Sequence, residues 1–161
     1  MREQSQLFGM SASRVTHVEK VCAYITRDGS ELLVFEGPEH DGLQIPKGTV
    51  EPDERPRAAM YREAVEESGL AALGASRHLT TDVWTRRAGR RYVRRFYHAR
   101  VHEPRDAWTH VVTGEGEERG AEYDFFWVDL PSSASFALDL DDYLHLLSGP
   151  VEESAPGVAA D

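Results

Sequence analysis

The sequence predicts several strands with two helices, an α+β fold or α/β/α sandwich. Short runs of β-branched and aromatic residues recur along the chain, separated by turn-forming clusters. Residues 54–68 have helical spacing and run into Gly69, a residue suited to ending a helix. Residues 130–147 read as a closing helix, with Pro131 and Ser132 near its start.

In chain order, residues 18–26 read as a first strand and 31–35 as a second. Arg27-Asp28-Gly29-Ser30 between them is turn chemistry and predicts a hairpin. Residues 43–46 form a short extended piece. Within the helix, Ala58, Tyr61 and Val65 share the face expected to meet the core. Residues 77–85 and 91–101 read as strands joined by a tip holding Ala88 and Gly89, and 123–128 as a last strand. Residues 1–13 are expected to be a loose leader, 14–148 a single domain, and 149–161, rich in small residues and proline, a disordered tail.

A length of 161 residues fits one domain. No run of about 18 apolar residues occurs, so no membrane-spanning helix is expected. The N-terminal stretch has no apolar run of the signal-peptide type, which favours a cytoplasmic location. One cysteine, Cys22, cannot form an internal disulfide; flanked by Val21, Ala23, Tyr24 and Ile25, it reads as a buried small hydrophobe. A net charge of -10 argues against a surface for duplex nucleic acid. Six arginines within residues 86–95 run against that acidic trend.

The chemistry lies in residues 48–70. Glu63, Glu66 and Glu67 stand at i, i+3 and i+4, so a helix projects all three from one face. A hard divalent cation, which takes carboxylate oxygens and bridges substrate phosphates, would offset their repulsion more fully than Arg57 or Arg62. A solvated acidic face also fits the triplet, and spacing alone leaves both readings open.

The wider segment resembles the Nudix box, G-x5-E-x7-R-E-U-x-E-E-x-G-U with U aliphatic. Gly48, Glu54, Arg62, Glu63, Glu66, Glu67 and Gly69 fill every fixed position. Ala64 and Leu70 take the U positions, the alanine being small for the first of them. The resemblance implies the Nudix fold, a mixed β-sheet between α-helices, and a metal-dependent diphosphohydrolase. Its reaction would cleave a diphosphate bond in a nucleoside di-, tri- or polyphosphate, dinucleoside polyphosphates included, by attack of a metal-activated water.

It further implies Mg²⁺ or Mn²⁺ held by Glu63, Glu66 and Glu67, with backbone carbonyls near Lys47 and Gly48 completing the shell. Glu66 is the implied general base, or Glu63 if Glu66 and Glu67 are committed to the metal. Arg62 resembles the family arginine that orients a catalytic glutamate, and Glu54 is its ion-pair partner. Relatives often add a carboxylate from a later loop, for which Glu115, Glu117, Glu118 and Glu122 are candidates. Glu122 is preferred because Glu122-Tyr123-Asp124 is similar to the Glu-Phe-Asp that precedes the Trp-Val strand in RNA pyrophosphohydrolase-like members.

Lys47 in Pro46-Lys47-Gly48 is similar to the dinucleoside polyphosphate and diphosphoinositol polyphosphate branches, and is a candidate phosphate ligand. Arg91 and Arg95 are the candidates from the arginine cluster, since guanidinium forks suit phosphate. A strand there would put Arg94, Phe96 and His98 on one face and Arg95 and Tyr97 on the other. The competing reading is a charged, soluble hairpin tip. The expected partner is therefore a phosphate-rich small molecule, with no duplex nucleic acid and no membrane, for a monomer or homodimer. Alternatives are a phosphate-rich non-nucleotide, an RNA 5′ end, or a non-catalytic nucleotide-sensing module on the same fold. Among the seven histidines, only His98 and His110 attract attention.

Overall fold

A computed structural model of the chain describes residues 15–87 and 89–147. The leader and tail expected from composition lie outside the described residues. The elements run β1 (Thr16–Arg27), β2 (Glu31–Glu36), β3 (Lys47–Thr49), α1 (Pro56–Ser68), β4 (Ser76–Arg87), β5 (Arg90–Arg100), β6 (Ala107–Val111) and β7 (Glu122–Asp129). Two 3₁₀ turns follow, Ala137–Asp139 and Leu144–Leu147.

The strands form one mixed sheet in the order β4-β5-β1-β2-β7-β6, with β3 also paired to β1. β1 runs antiparallel to β2 and β3 and parallel to β5. It is the centre of the sheet because its sequence serves both faces. Val21, Ala23 and Ile25 pack under α1, while Cys22 and Tyr24 face the opposite layer. Cys22 is buried as expected, and burial pushes its thiol up to about 12.

β6 escaped the sequence reading. It is an edge strand in which only Trp108 and His110 are partly covered, so its period-two signal is weak.

Helix α1 begins with Pro56 in its first turn, where a missing N–H is no loss. It ends at Gly69, whose φ of 76° lets its N–H bond back to the Val65 carbonyl at 2.9 Å. The stripe that meets the sheet is Ala59, Met60, Ala64, Glu67 and Ser68. This corrects the expected face: Ala58 and Val65 are exposed and Tyr61 is only partly covered. Small residues lie inward because the helix sits close to the sheet, and the inward turn carries Glu67 with it.

The closing helix expected over 130–147 is also corrected. The second face of the sheet is covered by extended chain and the two 3₁₀ turns, so α1 is the single α-helix among the described residues. Leu138 and Asp139 have φ of 56° and 55°, which no continuous α-helix accommodates. Phe136, Leu138 and Leu140 reach the same core layer at a period of two, which an irregular backbone allows and a helix does not. Arg94 fixes this path: its Nη1 donates to the Leu138 carbonyl at 2.8 Å.

Candidate functional site

The site forms where β3, the start of the 112–121 loop and the second half of α1 converge. β3 hangs on β1 through the pairs Lys20–Thr49, Val21–Gly48 and Cys22–Lys47. That register brings Gly48 against α1. A Cβ on Gly48 would lie 1.9 Å from the Glu63 Cδ, so only glycine leaves room for that carboxyl group.

Arg62 is the hub of the acidic cluster. Its Nε and Nη2 donate to the two carboxylate oxygens of Glu54. Its Nη1 donates to Glu63 Oε2 at 3.0 Å and to Glu66 Oε1 at 3.2 Å, and Nη2 also reaches the Thr49 carbonyl at 3.1 Å. The Arg62 hydrogen bonds hold the Glu54 carboxyl below the usual carboxylate range, and Glu54 raises Arg62 in turn. The pairing of Arg62 with Glu54 expected from the sequence is thus present.

Glu67 differs from its neighbours. It is 1% exposed, and among the described residues its hydrogen bond comes from the Lys47 N–H to Oε1 at 3.1 Å. Burial pushes its carboxyl up to about 8; Lys47 opposes this, while Glu63 and Glu118 add to it. Burial likewise raises Glu63, partly offset by Arg62, with Glu66 and Glu118 reinforcing the rise.

The donor set of Glu63, Glu66 and Glu67 is all hard oxygen and includes a buried carboxyl served by a single N–H. It fits a divalent cation of the Mg²⁺ type. Yet no three His, Cys, Asp or Glu side chains among the described residues are grouped as ready-made ligands. The reason is visible: Arg62 holds Glu63 and Glu66 by one nitrogen and turns their oxygens towards itself. An incoming cation has to take over those contacts.

The charge of Glu118, in the 112–121 loop, adds to the raised Glu63 and Glu67 carboxyls and the raised Tyr123 hydroxyl. Tyr123 is buried with its ring stacked on Phe35 at 4.2 Å, on the α1 side of the sheet. Glu122, its neighbour along β7, is exposed and by strand alternation faces the other side. The alternation through Tyr123 that puts Glu122 on that side is legible in the sequence.

Lys47 Nζ donates to Gln44 Oε1 at 3.0 Å and stands 6.0 Å from the Phe35 ring centre. Arg91 is exposed. Arg95 is ion-paired with Glu19. In the parallel pairing Arg95 lies opposite Val21, which itself faces Gly48, and Arg91 lies opposite His17. Both therefore share the α1 face of the sheet with the glutamates. Arg94 does not: it points to the other layer, is 4% exposed, and grips Asp82 with two hydrogen bonds. Its role is structural.

A surface cleft bounded by Arg27, His102, Glu103 and Asp106 lies at the far end of β1. Its arginine is already engaged by Glu31, Asp106 and the carbonyls of Glu103 and Arg105.

The description NUDIX domain matches residues 16–145 of the chain. A 60-residue stretch is 42% identical to an RNA pyrophosphohydrolase of Psychrobacter sp. (strain PRwf-1), covering 37% of this chain and 35% of that protein. The chain therefore spans about a third of the length of that curated relative. Among solved structures, a MutT NUDIX hydrolase from Burkholderia pseudomallei superposes with a TM-score of 0.62 at 25% identity, covering 83% of this chain and 99% of that one. A UDP-X diphosphatase gives a TM-score of 0.62 at 16% identity over 96% of this chain and 71% of that one, a likeness of fold alone. No helix among the described residues is long and apolar enough to cross a membrane.

Proposed function

The chain belongs to the NUDIX family, and from that premise we propose that it hydrolyses a pyrophosphate bond in a nucleoside di-, tri- or polyphosphate-type substrate with the help of Mg²⁺ or Mn²⁺. The observation that carries this reading is the buried Glu67 carboxyl beside Glu63 and Glu66, an acidic cluster with too few protein cations to neutralise it. Glu66 and Glu67 would hold the cation, with Glu63 and the Gly48 carbonyl beside them and Glu118 rather than Glu122 as the loop carboxylate. Bound there, the cation supplies polarisation of a phosphoryl oxygen and acidification of a water.

The remaining roles fall to the protein's own groups. With Glu66 and Glu67 committed to the cation, Glu63 is the assigned proton acceptor, its Oε2 oriented by Arg62 Nη1. Arg62 is itself held by Glu54, so two residues outside the reacting atoms fix the base. Lys47, Arg91 and Arg95 are the candidate phosphate ligands. Lys47 swings off Gln44 and Arg95 off Glu19 to reach one.

A second reading, an RNA 5′ end as substrate, is favoured by the stretch shared with the RNA pyrophosphohydrolase. A panel of nucleoside triphosphates, dinucleoside polyphosphates and 5′-triphosphorylated RNA, each with Mg²⁺ or Mn²⁺, separates the two. Wild type should turn over one class, and Glu66→Gln and Glu67→Gln should lose that turnover. Activity surviving both substitutions removes the glutamate mechanism. Tight nucleotide binding without hydrolysis of any substrate favours a sensing module.

A further inference from the structure

We propose that Gly114 is a positioning residue for Glu66, its bare Cα leaving the space in which the Glu66 carboxylate stands. Gly114 follows β6 and has a φ of +94°. A Cβ built on it would lie 2.4 Å from the Glu66 Cδ, 2.4 Å from Oε1 and 2.7 Å from Oε2. Those atoms are the far end of a flexible side chain, so an added methyl displaces the carboxylate instead of breaking the backbone.

The contact is held from both sides. The Thr113 N–H donates to the Glu66 carbonyl at 3.1 Å, and His110 Nε2 lies 3.0 Å from the same oxygen. These donors satisfy a carbonyl in the last turn of α1 and pin the loop to that residue. Across the cluster, Gly48 stands against Glu63 in the same way. Two glycines from separate elements thus wall two neighbouring carboxylates, and Arg62 Nη1 touches both acids.

The inference rests on the reading of Glu66 as a member of the cation site. Its control lies in the same loop. Gly120 has a φ of +90° and nothing within 4 Å of its Cβ position, so Gly120→Ala carries the backbone strain without the collision. The experiment measures Mn²⁺ affinity by electron paramagnetic resonance, metal-free melting temperature, and kcat and KM for both variants. Gly114→Ala should bind Mn²⁺ about tenfold or more weaker than Gly120→Ala and lose kcat more than KM. In the metal-free protein it should also melt below Gly120→Ala, and adding Glu66→Ala should abolish that difference.

Equal Mn²⁺ affinity in the two glycine variants overturns the proposal, as does a double variant whose melting loss is the sum of the two. Should Gly114→Ala fail to fold, recovery of folding in the double variant supports the contact, and its absence overturns it. Wild type that binds no Mn²⁺ would instead defeat the reading of the site, while the melting comparison would still judge the contact itself.

Discussion

Glu54 and Arg62 are joined by two parallel hydrogen bonds, Nε to Oε2 at 2.8 Å and Nη2 to Oε1 at 2.9 Å. The fork fixes the plane of the guanidinium, and with it the direction of the one nitrogen that reaches Glu63 and Glu66. Glu54→Gln keeps the shape and loses the charge. Stability should fall by about 1–2 kcal/mol in denaturant titrations, and kcat by about 10- to 100-fold with little change in KM. An unchanged kcat would mean that Arg62 needs no partner.

Glu67 is the deepest member of the acidic cluster, and a bound cation would be its principal counter-charge. Saturating Mg²⁺ should therefore raise the melting temperature of the wild type, by about 2.7 kcal/mol of added stability at a hundredfold excess over Kd. Chelation with EDTA should reverse the effect. Glu67→Gln should melt at the same temperature with and without the metal. A full Mg²⁺ response in that variant would take Glu67 out of the ligand set.

Burial, aided by the charges of Arg100 and Arg77, lowers His98 from an ordinary 6.5 to about 4. Its Nε2 shares a hydrogen bond with Thr26 Oγ1 at 2.8 Å. The folded value lies below the unfolded one, so this group's contribution is complete above pH 6.5 and is lost as pH falls towards 4. The loss amounts to up to about 3 kcal/mol. His98→Gln keeps a polar partner for Thr26 and does not titrate. Denaturant titrations from pH 7.5 to 4 should show a shallower fall for the variant, and parallel curves would refute the assignment.

Arg94 is buried between the Trp84 and Phe96 rings, bonded to Asp82 and to the Leu138 carbonyl. Burial pushes Asp82 up, but hydrogen bonds from Arg94 and Tyr143 hold it below its usual range. Arg94→Ala leaves the partly buried Asp82 carboxylate with the Tyr143 hydroxyl as its remaining partner and should cost about 1–3 kcal/mol. Limited proteolysis should then cut first within residues 130–147. Arg91→Ala, at an exposed position on the α1 face, should leave stability unchanged and weaken only substrate binding. Equal melting of both variants would erase the distinction drawn between them.

That distinction marks where the sequence was legible. Strand alternation separated Arg94, Phe96 and His98 from Arg95 and Tyr97 before any coordinates, and the structure keeps the two sets apart. Alternation did not say which face α1 covers, because that depends on how far away its partners lie. The Nudix spacing located Gly48, Glu54 and Arg62, whose contacts are local or bridge one loop. Pro131 and Ser132 suit a helix start, but residues 130–147 do not form the helix they suggest. There the contacts with Arg94 and Trp84 outweigh local propensity.

The parallel pairing of β1 with β5, from Thr16 opposite Arg90 to Thr26 opposite Arg100, sets the order in which this molecule can assemble. During synthesis β1 leaves the ribosome long before its partner exists. β3 can dock early, but the platform beneath α1 is not closed until β5 arrives. Contacts so distant along the chain slow folding, and the 112–121 loop that sets Gly114 against Glu66 follows β5 in the chain. Metal binding should accordingly appear in refolding as a terminal phase, after the hairpin of β4 and β5 has formed.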